Sequence, residues 1–245
     1  MNFAISIIIP TLNEQQVLGA TLHRLANQPD CERIVVDGGS SDATLALARE
    51  AGCLVVECPR GRGRQMNAGA AAASGRVLLF VHADTLLPAN FRQLVPTALA
   101  RPGVVGGAFS LGIDSTAASL AAIAFFANLR SRLLQLPYGD QALFTNSSTF
   151  AAVGGFPEMA IMEDYVFVQR LKQHGKIVIL PDRAITSARR WQRMGVIRTT
   201  LINQLVVCGH ITGVPPTTLA AWYRRLRGVG DSGPNSGDHI SRTGR

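Results

Sequence analysis

Short apolar runs rich in β-branched residues recur through the first ninety residues, each followed by a helix signal. The runs cover residues 5–9, 34–36, 54–56 and 77–81. They lack the alternation of apolar and polar residues that marks a half-covered strand, so they predict strands buried on both faces. Strands and helices that alternate at this spacing predict βαβ units and a parallel sheet. The sequence therefore predicts an α/β fold.

The rest of the chain is less regular but continues the same mixture. Patterns over residues 89–101, 120–134 and 163–174 predict helices, and those over 104–111 and 177–180 predict strands. We find no internal repeat and no linker, and 245 residues with 47% hydrophobic content suffice for one sizeable core. We expect a single domain over residues 1–227, followed by a disordered tail over 228–245.

The chain is basic, with a net charge of +8 and a pI near 10.2. This balance favours anionic partners such as nucleotide diphosphates, acidic lipid headgroups or nucleic acid. Much of the charge lies in two clusters, at residues 60–64 and 189–193, which indicates a local phosphate site. Basic and aromatic residues do not interleave as in nucleic-acid-binding motifs, so we expect no nucleic acid partner.

Cysteine usage and the apolar segments bear on location. The four cysteines show neither CxxC spacing nor a paired framework, which indicates reduced thiols in a cytosolic protein. The first residues resemble no signal peptide. The apolar runs at 115–129 and 199–214 are too short or too polar to cross a bilayer, although either could lie on one.

An apolar stripe after Trp191 fits two interpretations. Large side chains recur at helical spacing with Arg198 on the opposite face, which suits a core-packed helix or one lying on a membrane. We favour core packing. The stripe consists of Met194, Ile197, Leu201, Leu205 and Cys208.

Polar groups follow the first two predicted strands. Ligands of open α/β sheets bind at the carboxyl ends of strands, so these groups face a binding crevice. The first strand leads into residues 10–14, where Thr11 or Asn13 could simply cap a helix. The second leads into a glycine turn between Asp37 and Asp42. Asp37 could accept a hydrogen bond from a base, and Asp42 could cap the next helix.

The third and fourth strand ends offer groups for phosphate and metal. Arginines and glycines alternate over residues 60–64 before a helix, which suits a phosphate cradle or a solvated basic turn equally. The pattern is neither a P-loop nor a dinucleotide fingerprint. His82 and Asp84 stand two residues apart, so on an extended chain they would point the same way and could share a divalent cation. Such a cation would bridge the phosphates of a nucleotide diphosphate.

The ordered motifs PTLNE, VVDGGSSDAT, RGRGRQMNAG, HADT, GGF, MED and ARRW resemble the inverting family 2 glycosyltransferases. More narrowly, they resemble the small bacterial group of radical-SAM/selenodomain-associated transferases. The resemblance covers roughly residues 4–195 and implies the GT-A fold: a Rossmann-like nucleotide-binding half over about 1–87 with a mostly parallel central sheet, fused to an acceptor-binding half over about 88–227. It also implies sugar transfer with inversion from a nucleotide-diphosphate donor, UDP-sugar first and GDP-sugar second, to an unidentified acceptor.

The resemblance assigns the donor side of the site. Asp37 would bond the pyrimidine base, Arg64 and Asn67 would close over ribose and phosphate, and Arg190 would contact the diphosphate. The family's metal motif is usually Asp-x-Asp, but here His82 takes the first position and Asp84 the second. The implied cofactor, Mg²⁺ or Mn²⁺, would be held by Asp84 and His82, and the lost negative charge predicts weaker or differently selective metal binding. The full nucleotide-binding set is Pro10, Thr11, Glu14, Asp37, Arg64, Asn67, His82, Ala83, Asp84 and Arg190.

The resemblance also assigns the chemistry. Inversion needs one base to deprotonate the acceptor hydroxyl. That base would be Asp164, with Glu163 beside the acceptor, although both could simply be first-turn acids favoured by a helix dipole. Residues 138–141 could line the acceptor pocket or form a surface turn. The expected acceptor-binding set is Gly107, Tyr138, Asp140, Gln141 and Trp191.

Three other functions remain open. A nucleotidyltransferase would share the nucleotide half, but it usually has a Gly-rich loop after the first strand, and TLNE stands there instead. A catalytically silent nucleotide-binding or scaffold protein is suggested by His82. A peripheral membrane-binding protein is suggested by the apolar stretches and arginine clusters. The expected partners are a nucleotide-sugar and a lipid or small-metabolite acceptor, in the cytoplasm or at the inner face of the membrane.

Overall fold

The first part of the chain forms the predicted alternation of strands and helices. A computed structural model describes residues 4–26 and 28–227. All four apolar runs form strands, and a helix follows each of the first three. The elements are β1 (Ile5–Thr11), α1 (Leu18–Arg24), β2 (Cys31–Asp37), α2 (Thr44–Glu50), β3 (Leu54–Glu57), α3 (Arg62–Ala72) and β4 (Val77–Phe80).

The second part contains the remaining strands and the longer helices. The predicted helices and strands are present, but the last strand is far longer than residues 177–180. A short 3₁₀ turn spans Gly139–Gln141. The elements are β5 (Thr85–Leu86), α4 (Phe91–Leu99), β6 (Val104–Asp114), α5 (Ala118–Leu134), β7 (Phe144–Asn146), α6 (Ser147–Ala152), α7 (Glu163–Lys172), β8 (Lys176–Ser187), α8 (Arg189–Met194), α9 (Val196–Ile211) and α10 (Pro216–Arg227).

One sheet of eight strands joins both parts, in the order β3-β2-β1-β4-β7-β6-β8-β5. The pairs β1–β2, β1–β4, β2–β3 and β6–β8 are parallel. The strand β7 is antiparallel to both β4 and β6, and β5 is antiparallel to β8. The predicted α/β class with a mostly parallel sheet is therefore confirmed.

The core lies on both faces of this sheet. Along β1, Ile5, Ile7 and Ile9 belong to a cluster that includes residues of α1, α2 and α4. Ile8 belongs to the opposite cluster, with residues of α3 and α7. Because successive side chains of a strand point to opposite faces, an unbroken apolar run is what a doubly covered strand requires.

The apolar stripe of α9 faces outward, so the prediction that it packs in the core is wrong. Ile197 is 77% exposed and Leu201 64%, whereas Ile202 and Val206 are buried. A Cβ at Gly209 would lie 2.6 Å from Leu219 of α10, so the smaller residues let α10 approach on that face. Close packing there outweighs the burial of the larger side chains.

Two other expectations concern the ends and the thiols. In residues 4–26 and 28–227, no helix is long and apolar enough to span a bilayer. Within the described residues Cys31, Cys53, Cys58 and Cys208 form no disulfide. The tail predicted over 228–245 lies outside the described residues.

Candidate functional site

The turn after β2 is built around Asp37. This carboxylate is 1% exposed. It accepts hydrogen bonds from the backbone N–H of Gly39 (2.9 Å) and Ser40 (2.7 Å) and from the hydroxyls of Ser40 and Thr11 (3.1 Å to Thr11). Four protein donors thus hold the carboxylate that the resemblance assigns to a nucleotide base. Gly39 adopts a positive φ of 93°, which the turn requires and glycine permits.

The loops after β1 and β2 bind each other side by side. Asn13 donates its backbone N–H to the hydroxyl of Ser40 (2.8 Å), and its side-chain oxygen accepts from the backbone of Ser41 (2.9 Å). Asp42 accepts from the backbone N–H of Thr44, the first residue of α2, and from that of Gln15. The N-cap position of α2 is Ala43 rather than the predicted Asp42, but Asp42 binds the first residue of the helix and also joins the two loops.

Gln65, a residue that sequence reasoning missed, fixes α3 to the carboxyl ends of two strands. Its side chain is 5% exposed, and its Nε2 donates to the carbonyls of Thr11 (2.8 Å) and Val36 (2.9 Å). A polar residue one turn after a glycine loop is the signal that could have found it.

The basic loop before α3 docks on the second half of the chain. Arg62 pairs with Glu163 at 3.3 Å, and Arg64 pairs with Glu158 at 2.9 Å. A Cβ at Gly63 would lie 2.5 Å from the carbonyl oxygen of Pro157, so only glycine allows this approach. Arg64 is thus directed to a carboxylate rather than to the expected ribose and phosphate.

Asn67 is also engaged with protein. Its Nδ2 donates to the carbonyl of Phe156 (2.8 Å), and its Oδ1 accepts the N–H of the same residue (2.9 Å). Both ends of the amide are occupied, so Asn67 fixes the turn at Gly155 and Phe156. The ribose contact that the resemblance implies for Asn67 stays a prediction.

His82 and Asp84 lie on a hydrogen-bonded turn, not on the extended chain that the sequence argument assumed. The N–H of Thr85 donates to the carbonyl of His82 (3.1 Å). The turn directs the two side chains to different neighbours. The carbonyl of Ala83, between them, accepts the hydroxyl of Thr21 at 2.7 Å, and the side chain of Ala83 is buried.

The His82 imidazole lies beside Gly139 and the carboxylate of Asp164. A Cβ at Gly139 would be 3.1 Å from Nε2 of His82 and 3.2 Å from Oδ2 of Asp164. Burial, and then the positive charges of Arg62 and Arg190, lower the pKa of His82 well below its usual value. The imidazole is therefore neutral at pH 7.

Asp84 instead faces Arg189. The Nη2 of Arg189 lies 3.4 Å from Oδ2 of Asp84 and 3.1 Å from Oε2 of Glu14, and the hydroxyl of Thr186 lies 3.5 Å from Asp84. Sequence reasoning selected Arg190 for the diphosphate, but Arg189 is the arginine that joins these two carboxylates. Arg190 lies close enough to His82 to lower its pKa.

The donor atoms at this place suit a cation that arrives with a phosphate ligand. Within the described part of the chain, no three or more His, Cys, Asp or Glu side chains are grouped so as to hold a metal. Mg²⁺ is generally bound by one or two carboxylates plus substrate phosphates rather than by an all-protein cage. Asp84 and Glu14, which share Arg189, match that pattern, whereas His82 is turned towards Gly139.

Asp164 and Glu163 begin α7, as predicted. The Oδ2 of Asp164 accepts the N–H of Gly139 at 2.8 Å, and Oδ1 accepts that of Tyr165 at 2.7 Å. The Glu163 side chain is 5% exposed. Burial raises the pKa of Glu163, and the nearby Arg62 partly opposes this shift. The two acids differ: Asp164 is held at the turn of Gly139, whereas Glu163 is buried and paired with Arg62.

Of the expected acceptor residues, two border this open turn. Tyr138 lies under the guanidinium of Arg130, whose carbon is 3.5 Å from the ring centroid. Asp140 is half-buried, and burial raises the pKa of its carboxyl against the opposing charge of Arg130 and Arg190. Both residues flank Gly139.

The other three expected acceptor residues are buried in the protein, so their role in acceptor binding stays a prediction. A Cβ at Gly107 would lie 2.5 Å from the Phe144 ring, so glycine is needed to pack β6 against β7. Gln141 is fully buried and donates to the carbonyl of Phe109 at 3.0 Å. Trp191 is 7% exposed and packs beside Leu120 in a small apolar cluster.

Comparison with known proteins identifies the family. The model of the family described as "Glycosyl transferase family 2" matches residues 6–154, which is more than half of the chain. The chain belongs to glycosyl transferase family 2. A PGL/p-HBAD biosynthesis glycosyltransferase of Mycobacterium tuberculosis is 42% identical over 91 residues, 34% of this chain and 36% of that relative. The chain therefore matches about a third of the length of the curated relatives.

Solved structures of other glycosyltransferases share the fold. The mannosyltransferase PcManGT from Pyrobaculum calidifontis, in complex with GDP-Man and Mn²⁺, has a TM-score of 0.66 at 18% identity over 92% of this chain and 70% of that one. TarS of S. aureus, in complex with UDP-GlcNAc, has a TM-score of 0.62 at 18% identity over 80% and 65%. Glucosyl-3-phosphoglycerate synthase from Mycobacterium tuberculosis, with Mn²⁺ and UDP-Glc, has a TM-score of 0.57 at 20% identity over 84% and 79%. At such identities the likeness shows the fold, which is GT-A.

Proposed function

We propose that this family 2 domain transfers a sugar, with inversion, from a nucleoside-diphosphate donor to an acceptor hydroxyl, with Asp164 as the general base. The observation that carries the proposal is the convergence at Gly139, where Asp164 and a neutral His82 both lie against one glycine. Asp84 lies on the same turn as His82, two residues further along the chain.

The geometry suits Asp164 as a base. Hydrogen bonds from Gly139 and Tyr165 fix its carboxylate, and Gly139 leaves the space beside it free of a side chain. Because His82 is uncharged, it neither neutralises the carboxylate nor repels a cation. A general base within hydrogen-bonding reach of the acceptor hydroxyl contributes about 10²–10⁴ in rate. Glu163, paired with Arg62, would position the acceptor.

The donor diphosphate is assigned to the side of Asp84 and Glu14. A bound Mg²⁺ or Mn²⁺ would stabilise the leaving diphosphate. Asp84 would hold it together with Glu14, and His82, the ligand proposed from sequence, is the weaker choice because of its orientation. Arg189 and Arg190 would balance the phosphate charge, since guanidinium groups bind phosphate strongly.

For the donor base and the acceptor we propose only a chemical class. The solved relatives named above bind UDP-sugars or GDP-mannose, so uridine is the first choice and guanosine the second. Asp37 would recognise the base while its own turn holds it. We assign the donor to residues 1–87 and the acceptor, a lipid or small metabolite, to residues 88–227, in a cytoplasmic protein with peripheral membrane contact.

One alternative has an observation in its favour. His82 replaces the first carboxylate of the usual metal motif, and Arg189 already neutralises the second. A catalytically silent nucleotide-binding protein would have the same features.

A thermal-shift panel with UDP, GDP, CDP and ADP, each with Mn²⁺ or with EDTA, tests the proposal. A ligand that binds only the folded state stabilises it by about 2.7 kcal/mol at a hundredfold excess over its dissociation constant. We expect a Mn²⁺-dependent shift with one diphosphate, lost in Asp84→Asn and kept in Asp114→Asn, an exposed carboxylate at the end of β6. Absence of any shift would contradict the proposal. A shift without donor turnover would favour the silent protein.

A further inference from the structure

Exposed large apolar side chains are concentrated on three helices. Of thirteen such side chains in residues 4–26 and 28–227, eleven lie on α5, α9 and α10. The other two are Leu54 and Ile185. Phe125 and Phe126 of α5 are 62% and 65% exposed. The eleven are Phe125, Phe126, Leu129, Leu133, Leu134, Ile197, Leu201, Leu205, Ile211, Trp222 and Leu226.

These side chains form rows along the helices. Phe125, Leu129 and Leu133 are spaced four apart on α5, and Ile197, Leu201 and Leu205 are spaced four apart on α9. Residues four apart lie on the same face of a helix. On α9 the opposite face is already packed, so the exposed row is additional to the core and has no partner in the described residues. Exposed apolar rows of this size mark an interaction site.

The three helices lie next to one another through the short helix α8. Leu120 of α5 and Trp191 of α8 share a small apolar cluster, and Ile123 of α5 and Val196 of α9 pack against it. The helix α10 packs on α9, and Arg198 of α9 donates to the carbonyl of Leu226 at 2.6 Å. We call the exposed faces of α5, α9 and α10 the helical face.

The charge of these segments has a single sign. Residues 115–139 and 183–230 contain no Asp or Glu. The same segments carry ten arginines, two in the first and eight in the second. The exposed arginines of α5, α9 and α10 are Arg132, Arg198, Arg224 and Arg225. The helical face therefore combines apolar rows with positive charge and no compensating acid.

We propose that the helical face docks the protein on the surface of a bilayer that carries anionic lipids. Apolar rows flanked by arginines suit the boundary between headgroups and acyl chains. Each arginine near an anionic surface strengthens binding about fivefold. The charge argues against a second copy of the chain as the occupant, because two such faces would bring like charges together.

The helical face reaches the proposed base at one end of α9. The rings of His210 and Tyr165 are 5.2 Å apart, and Tyr165 follows Asp164 directly. If the proposed transfer activity holds, a hydroxyl presented at the bilayer surface is the acceptor that this arrangement serves. The docking itself requires no donor and no catalysis, so the two proposals fail separately.

Co-sedimentation of the full chain with vesicles tests the docking. We expect binding to phosphatidylcholine vesicles that contain phosphatidylglycerol, little binding to phosphatidylcholine alone, and loss of binding at high salt. Ile197→Gln, Leu201→Gln and Leu205→Gln together should lower the partition coefficient at least about tenfold. Arg224→Gln and Arg225→Gln should each weaken binding about fivefold. Leu54→Gln, an exposed site on β3, is the matched control and should bind as the wild type does.

Two results would overturn the proposal. One is equal vesicle binding by the wild type and the triple variant. The other is a dimer in sedimentation velocity that the triple variant converts to a monomer, with no vesicle binding, because the face would then be an interface between copies. Should the triple variant melt earlier than the wild type, Phe125→Ser with Phe126→Ser on α5 makes the same test on another helix.

Discussion

Two carboxylates at the same edge of the sheet are in opposite situations. Asp37 after β2 is 1% exposed and accepts hydrogen bonds from four protein donors. Asp84 after β4 is 25% exposed, and its partners are a guanidinium at 3.4 Å and a hydroxyl at 3.5 Å. The first is saturated and builds its turn. The second has loose partners that a ligand can replace. We therefore expect a change at Asp37 to lower mainly the stability of the protein, and a change at a loosely held carboxylate of the site to lower mainly its activity.

The largest effect is expected at Asp164, whose carboxylate borders the turn at Gly139. Asp164→Asn keeps an oxygen to accept the N–H of Gly139 but removes the base, so donor-dependent transfer should fall about 10²–10⁴-fold. Steady-state transfer assays measure the loss, and the melting temperature should stay within the range of surface variants. A variant with wild-type turnover would move the base elsewhere.

Asp37→Ala should lower the free energy of unfolding, because all four hydrogen bonds to this carboxylate come from the protein. The change leaves buried backbone and hydroxyl donors without their charged acceptor, and hydrogen bonds to charged groups are worth about 1.5–3 kcal/mol each. We expect a loss of about 3 kcal/mol in the free energy of unfolding, measured by urea denaturation. Asp114→Asn, at an exposed site, should change it by less than about 0.5 kcal/mol. Equal stability of Asp37→Ala and wild type would show that the turn forms without the carboxylate.

A smaller effect is expected at Gly139, which lies beside both His82 and Asp164. The added methyl of Gly139→Ala would lie 3.1 Å from Nε2 of His82 and 3.2 Å from Oδ2 of Asp164, tighter than ordinary contact. Displacing the base by a few tenths of an ångström should lower kcat about tenfold, since catalytic geometry is sensitive to small shifts. Gly154→Ala is a control with open space around the new methyl but a positive φ of 74°. It should lose stability rather than kcat.

The smallest effect concerns pH. Burial raises the pKa of Asp140 and Glu163 above their ordinary values of 3.8 and 4.5. The folded state therefore binds these protons more tightly than the unfolded state, and stability falls as the pH rises from about 4 through the raised pKa values. Asp140→Asn with Glu163→Gln should flatten this slope in melting curves recorded across that range. A slope unchanged by the double variant would contradict the assignment.

The sequence predicts the strands well because a strand buried on both faces needs an unbroken run of apolar residues. Residues 5–9 are apolar without interruption, and the structure covers both faces of β1. The strand ends were equally readable, since each places polar groups at one edge of the sheet. The sequence does not show, however, which side chain at a strand end meets which neighbour. Arg189 and Arg190 are neighbours in sequence, but successive residues of a helix point about 100° apart, and only one of them meets Asp84 and Glu14.

The burial of expected acceptor residues could not be predicted from the sequence, for a physical reason. Gln141 is polar and follows a glycine, which resembles a surface turn, yet its partner is the carbonyl of Phe109, 32 residues away. Such long-range satisfaction of a buried polar group leaves no local pattern. Close packing misled in the same way at α9, where Gly209 rather than the large apolar row decided which face is buried.

The two hydrogen bonds between Asn67 and Phe156 join segments that the ribosome synthesises at different times. The two residues are 89 positions apart, and β7, the neighbour of β4, is also made long after it. A nascent chain that ends before β7 has an unpaired edge at β4, which invites pairing with other chains. The edge of β4 is therefore covered only after β7, in the second half of the chain, has been synthesised.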